Sequence, residues 1–143
     1  MKHDSSLFFL CSLIEFIGRK QKRKRNEVVE ALGENSLRRI YGFADVLHSE
    51  PIAKVASEYI EDRDIGKGSY DNVAACKYDV PDYWTIGEVY ERLIGDVRTT
   101  DTIQSLRKIY DSWISEAISN YNSDFYYQPR DYIAECYRQG MVL

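Results

Sequence analysis

Apolar residues recur along most of this chain at gaps of three and four, the spacing that gathers side chains on one face of a helix with about 3.6 residues per turn. The longest such stretch is Asp101–Asn122, DTIQSLRKIYDSWISEAISNYN. Ile103, Leu106, Ile109, Tyr110, Trp113, Ile114, Ala117, Ile118 and Tyr121 form its stripe. Ser105, Lys108, Ser112, Ser115 and Ser119 fall opposite. The pattern predicts one long surface helix that serves as scaffold rather than site. A first helix is predicted over about residues 6–20, capped by Asp4 or Ser5. Leu7, Leu10, Cys11, Ile14 and Ile17 form its main stripe, and Phe8, Leu13 and Phe16 widen it. So broad an apolar face predicts a central helix contacted on two sides.

Between these landmarks the punctuation residues mark further helices. Asn26 is placed to cap a short helix over Glu27–Leu32 that stops at Gly33. Leu37, Ile40, Tyr41, Ala44 and Leu47 predict another, ending near His48. Ser49-Glu50-Pro51 opens a helix that runs to about Asp62. Thr85-Ile86-Gly87-Glu88 has the form of a capping box before the stripe Ile86, Val89, Tyr90, Leu93, Ile94 and Val97. Pro129 opens a last helix stopped by Gly140, with Tyr132, Ile133, Cys136 and Tyr137 inward. Residues 73–84 fit either a short helix or an extended segment. No stretch alternates as a strand would. The expected fold is all-α, a bundle of about seven helices. It divides into an N-terminal half with a basic turn (1–62), a Gly/Ser-bearing linker (63–72) and a Tyr-rich C-terminal half (73–143). Each half alone has a marginal core, so the two are expected to pack as one unit.

Charge changes this picture at one place. Residues 1–25 hold seven Lys/Arg and two Asp/Glu, whereas 26–143 hold twelve and twenty-one. The molecule is therefore a basic corner on an acidic body. The corner is Arg19, Lys20, Lys22, Arg23, Lys24 and Arg25, around a single Gln21. Such a run repels itself and is expected to be an exposed helix end or turn. It is also the one candidate nucleic-acid site, although no aromatic residue interrupts it for base stacking.

Candidate chemistry adds less. Cys11, Cys76 and Cys136 are dispersed, which excludes a disulfide framework and fits a reducing cytoplasm. The apolar start LFFLCSLIEFI is too short to span a membrane and is broken by Glu15. His48 lies near Asp45 and Glu50, but no second His or Cys stands at ligand spacing, so no metal site and no cofactor are expected. No nucleophile motif accompanies the serines or cysteines. The chain reads as non-catalytic. Its twelve tyrosines, ten of them at or beyond Tyr70, carry the stronger signal. Tyr, Asn and Arg together are the residues of interface hot spots. Asn120, Tyr121, Asn122, Phe125, Tyr126, Tyr127 and Arg130 gather them at the exit of the long helix, and form the candidate partner-binding site. The alternative is a packed connection that folds back on the body.

The stretches LFFLCSLIEFI, VVEALG and SLRRIYGFADVLHSEPIAKVASEYIED, over residues 7–62, resemble a small bacterial helical family of unknown function often encoded beside ADP-ribosyltransferase-like toxins. The run Arg19–Arg25 is more basic than that family's pattern, and the second half of the chain lies outside it. The resemblance implies a non-catalytic, antitoxin-like partner of a toxin enzyme in a two-gene module, and it brings no catalytic residues. The expected function is therefore a protein–protein interaction module. A nucleic-acid-associated regulator that binds through the basic run is the alternative.

Overall fold

The breadth of the first helix's apolar surface decides the architecture. In the computed structural model, which describes residues 3–143, α1 (Ser5–Gln21) is the central element. Leu7, Leu10, Cys11, Leu13, Ile14 and Ile17 are all fully buried. The Asp4 carboxylate caps α1 by accepting the Leu7 amide at 3.0 Å. The helix ends where Lys22 turns left-handed at φ 53°.

Eight further helices follow among the described residues: α2 (Arg25–Gly42), α3 (Ala44–Leu47), α4 (Ile52–Asp62), α5 (Asn72–Ala75), α6 (Tyr83–Val97), α7 (Thr102–Tyr110), α8 (Trp113–Ser119) and α9 (Arg130–Gln139). A 3-10 turn, Phe125–Tyr127, precedes α9. The described residues contain no strand, and none of their helices is long and apolar enough to cross a membrane. The principal contacts of α1 are with α6 and α2, on which it packs most extensively. One apolar core therefore draws on residues from both halves of the chain. Within it Tyr90 of α6 stacks on Tyr110 of α7, ring centres 4.1 Å apart.

Several expected boundaries move. Gly33 does end a helical stretch as expected, with φ 76° and ψ 166°, and Arg25–Gly42 is two helical stretches that meet at a kink there. The cap of α2 is Lys24, not Asn26: the Glu27 carboxylate reaches back to accept the Lys24 amide at 3.0 Å. The helix expected to reach His48 stops at Gly42, and a single turn follows as α3. For α6 the cap is Asp82 rather than Thr85, so the helix begins a turn earlier than the capping box implied.

The long helix is two helices. Ser112 interrupts it: its hydroxyl donates to the Ile109 carbonyl at 2.7 Å and accepts the Ile114 amide at 3.3 Å, which caps α8. A serine that can satisfy free backbone groups on both sides of a break favours the break over continuation. After the break Ser115 and Ser119 are buried, and Ser105 of α7 is buried as well, all three on the face expected to be polar. Ser112→Ala is expected to cost about 1 kcal/mol, the usual value of a hydroxyl cap. The shift in urea midpoint at unchanged slope measures it.

Residues 63–71 are not a free linker. The Gly68 amide donates to the Gln21 carbonyl at 2.8 Å and the Tyr70 amide to the Lys22 carbonyl at 2.9 Å. Gln21 returns a side-chain bond to the Ile65 carbonyl at 2.7 Å, and Ile65 is buried. The segment is strapped to the end of α1.

Candidate functional site

The basic turn after α1 is partly interior. Glu15 is a lone acid on the apolar face of α1 and is 1% exposed, and Arg25 is equally buried at 1%. Arg25 Nε donates to Glu15 Oε1 at 2.9 Å and Arg25 Nη2 to Glu15 Oε2 at 3.0 Å, a bidentate pair. Arg25 also reaches the Arg23 carbonyl at 2.7 Å and Asn72 Oδ1 at 3.0 Å. Arg19 Nε joins Glu15 Oε2 at 2.9 Å, and its other end donates to the Pro81 carbonyl at 2.6 Å. The Tyr121 hydroxyl donates to Glu15 and accepts from Arg19 at 3.1 Å. Burial pushes the Glu15 carboxyl up, but the charge and hydrogen bonds of Arg25, with Arg19 and Tyr121, hold it below the ordinary carboxylate value. The Tyr121 hydroxyl is pushed up to about 12, first by burial and then by the Glu15 charge.

The expectation of a wholly exposed cationic run is thus corrected. Arg25 is core and Arg19 is half-buried against Tyr121, its guanidinium carbon 5.1 Å from the ring centre. Arg23 bonds the Gly66 carbonyl at 2.9 Å. Lys20, Lys22 and Lys24 are exposed, yet they lie near Ser57 (3.2 Å), Asp71 (3.8 Å) and Glu116 (3.4 Å) respectively. The physical reason is Glu15. A buried carboxylate demands cations beside it, and Arg25 in the core and half-buried Arg19 supply them.

The exit of α8 divides in the same way. Tyr121 belongs to the buried network, and Phe125 is buried. Asn120 is exposed, and its side-chain oxygen accepts the Asn122 amide at 3.1 Å. Asn122 ties this exit to the 76–81 loop: its oxygen accepts the Lys77 amide at 2.7 Å and its nitrogen donates to the Ala75 carbonyl at 3.0 Å. Arg130 is forked onto Asp96 at 3.0 and 2.8 Å. These are the bonds of a packed connection.

Two rings on this frame face water. Tyr127 is 66% exposed and Tyr78, on the tethered loop, is 71% exposed; Val80 is exposed beside it. Half-buried Tyr126 lies edge-on to Tyr127, with ring centres 5.0 Å apart. Its hydroxyl is raised first by burial, then by the nearby Tyr127, Cys76 and Asp79. A cleft of about 240 Å³ opens alongside, lined by Thr85, Glu88, Val89, Arg92, Leu93, Tyr126, Tyr127, Gln128, Arg130 and Ile133. Buried Leu93 and Ile133 give it an apolar floor.

His48 and Asp45 are exposed, and no group of three His, Cys, Asp or Glu among the described residues is arranged to hold a metal ion. Residue spacing along the chain does not single out Glu15, Asn72, Tyr78 or Asp96. Only Glu15 left a signal, as one acid inside LFFLCSLIEFI. Compared with protein-family models, with curated proteins and with solved structures, the chain matches none.

Proposed function

We propose that this chain is a non-catalytic protein–protein interaction module of the cytoplasm, antitoxin-like in that it acts by covering a partner enzyme. The partner docks on the surface formed by Tyr78, Tyr126 and Tyr127. The observation that carries this reading is the exposure of two tyrosine rings on a frame that is otherwise internally bonded. A ring held in place loses little entropy on binding and contributes a large amphipathic area. The cleft beside Tyr127 gives a partner side chain a place to enter. The mechanism is steric: the bound surface blocks the partner and no covalent step is needed.

The test is capture from the native host, together with co-expression of the neighbouring gene's product, using the wild-type chain and Tyr127→Ser. A specific protein held by wild type and lost from Tyr127→Ser is the expected result. The variant should keep the wild-type urea midpoint, because Tyr127 is exposed. Equal capture by both chains, or no specific protein with either, overturns the proposal.

A further inference from the structure

The exposed tyrosine surface carries an excess of one charge. Asp79 lies beside Tyr78 in the tethered loop, and Asp82 follows at its end. Asp124 begins the 3-10 turn, where its carbonyl accepts the Gln128 side chain at 3.1 Å. All three are exposed, and none is within ion-pair distance of a cation among the described residues. Arg92 at the cleft mouth is taken by Glu88 at 3.3 Å, and Arg130 is paired with Asp96. Lys77 is the one ammonium group of the loop set against these three carboxylates.

Aromatic faces and carboxylates together select a particular cation. A guanidinium stacks flat on a phenol ring and forks onto a carboxylate, whereas an ammonium does neither as well. The chain already uses this chemistry inside, where Arg19 lies over Tyr121 and pairs with Glu15. We infer that the docking partner presents an arginine-bearing basic segment of protein. Its guanidinium groups stack on Tyr78 and Tyr127 and pair with Asp79 and Asp124, and an adjacent apolar side chain enters the cleft over Leu93 and Ile133. This rests on the protein-binding reading above and names the partner's chemistry. A nucleic-acid strand would bring phosphates against the same carboxylates and be repelled.

The probe is a short fluorescent peptide of alternating arginine and leucine, compared with its lysine and glutamine counterparts by polarisation at low and physiological salt. The arginine peptide should bind wild type about tenfold or more tightly than the lysine peptide, and the glutamine peptide more weakly still. Asp79→Asn with Asp124→Asn should weaken arginine-peptide binding about tenfold, and Tyr127→Ser by a similar factor. Glu58→Gln with Glu61→Gln removes the same charge from exposed positions on α4 and should leave binding unchanged. Unchanged urea midpoints establish that each variant folds. If the α4 pair weakens binding as much as the Asp79/Asp124 pair, the attraction is general and the inference is overturned. If the three peptides bind equally while host-protein capture still depends on Tyr127, the arginine assignment fails and the protein-binding reading stands. If neither depends on Tyr127, both fail.

Discussion

Arg25→Met should destabilise the protein by about 3–5 kcal/mol, measured from urea denaturation, because it strands the Glu15 carboxylate in the core without its bidentate partner. The charge would be compensated only by Arg19 and the Tyr121 hydroxyl. A buried pair is worth less than the cost of breaking it, since both ions lose water on folding. The double variant Glu15→Leu with Arg25→Met should therefore recover most of the loss. A single variant within about 1 kcal/mol of wild type would show that the interior at this point is wet.

The same network sets an acid limit. Glu15 is held below its unfolded-state value, so the folded protein binds its proton less readily than the unfolded chain does. Stability from this group is then complete above the unfolded carboxylate range. It is lost as pH falls through the lower, folded value. Wild type should lose stability on acidification more steeply than Glu15→Leu with Arg25→Met, and urea midpoints across the acidic range compare the two.

Gly87→Ala should cost about 3 kcal/mol, towards the upper end of what overpacking does to a core. A methyl group on Gly87 would stand 2.1 Å from the Ser12 hydroxyl oxygen and 2.9 Å from both the Ser12 Cα and its backbone nitrogen. The hydroxyl could rotate away, but the backbone atoms could not move without displacing α1. Ser12 lies on α1 and Gly87 on α6, so the strain falls on the contact that joins the two halves of the chain. The same substitution at Gly95, where an added methyl meets nothing within 4 Å, should be tolerated, and the two urea midpoints together distinguish a packing effect from a change in helix propensity.

The residue spacings foretold which segments are helical, because a helix's buried stripe is written locally. Leu7 to Ile17 marked the central helix, and Ile86 to Ile94 its main neighbour, from periodicity alone. Gly33 and Gly140 marked turns for a reason equally local: both adopt positive φ. Ser112 was less legible. Its apolar neighbours fit an unbroken helix, and only the cap it forms in the folded chain shows that the break is preferred.

The candidate site was legible by composition and not by role. Asn120 to Arg130 reads as one polar, aromatic group. Tertiary structure sorts it into Tyr121 and Phe125, which are buried, Asn122 and Arg130, which tie elements together, and Tyr127, which is left exposed. It also ties the loop that carries Tyr78 to Asn122, more than forty residues away, through the Lys77 amide. The basic run shows the same division. Sequence by itself determined that this chain is helical, where its apolar stripes lie and that cations crowd the end of α1. Only the folded chain decided that one of those cations is core, because whether a charge can be buried depends on the opposite charge it meets there, and Glu15 meets Arg25 only once α1 has turned back into α2.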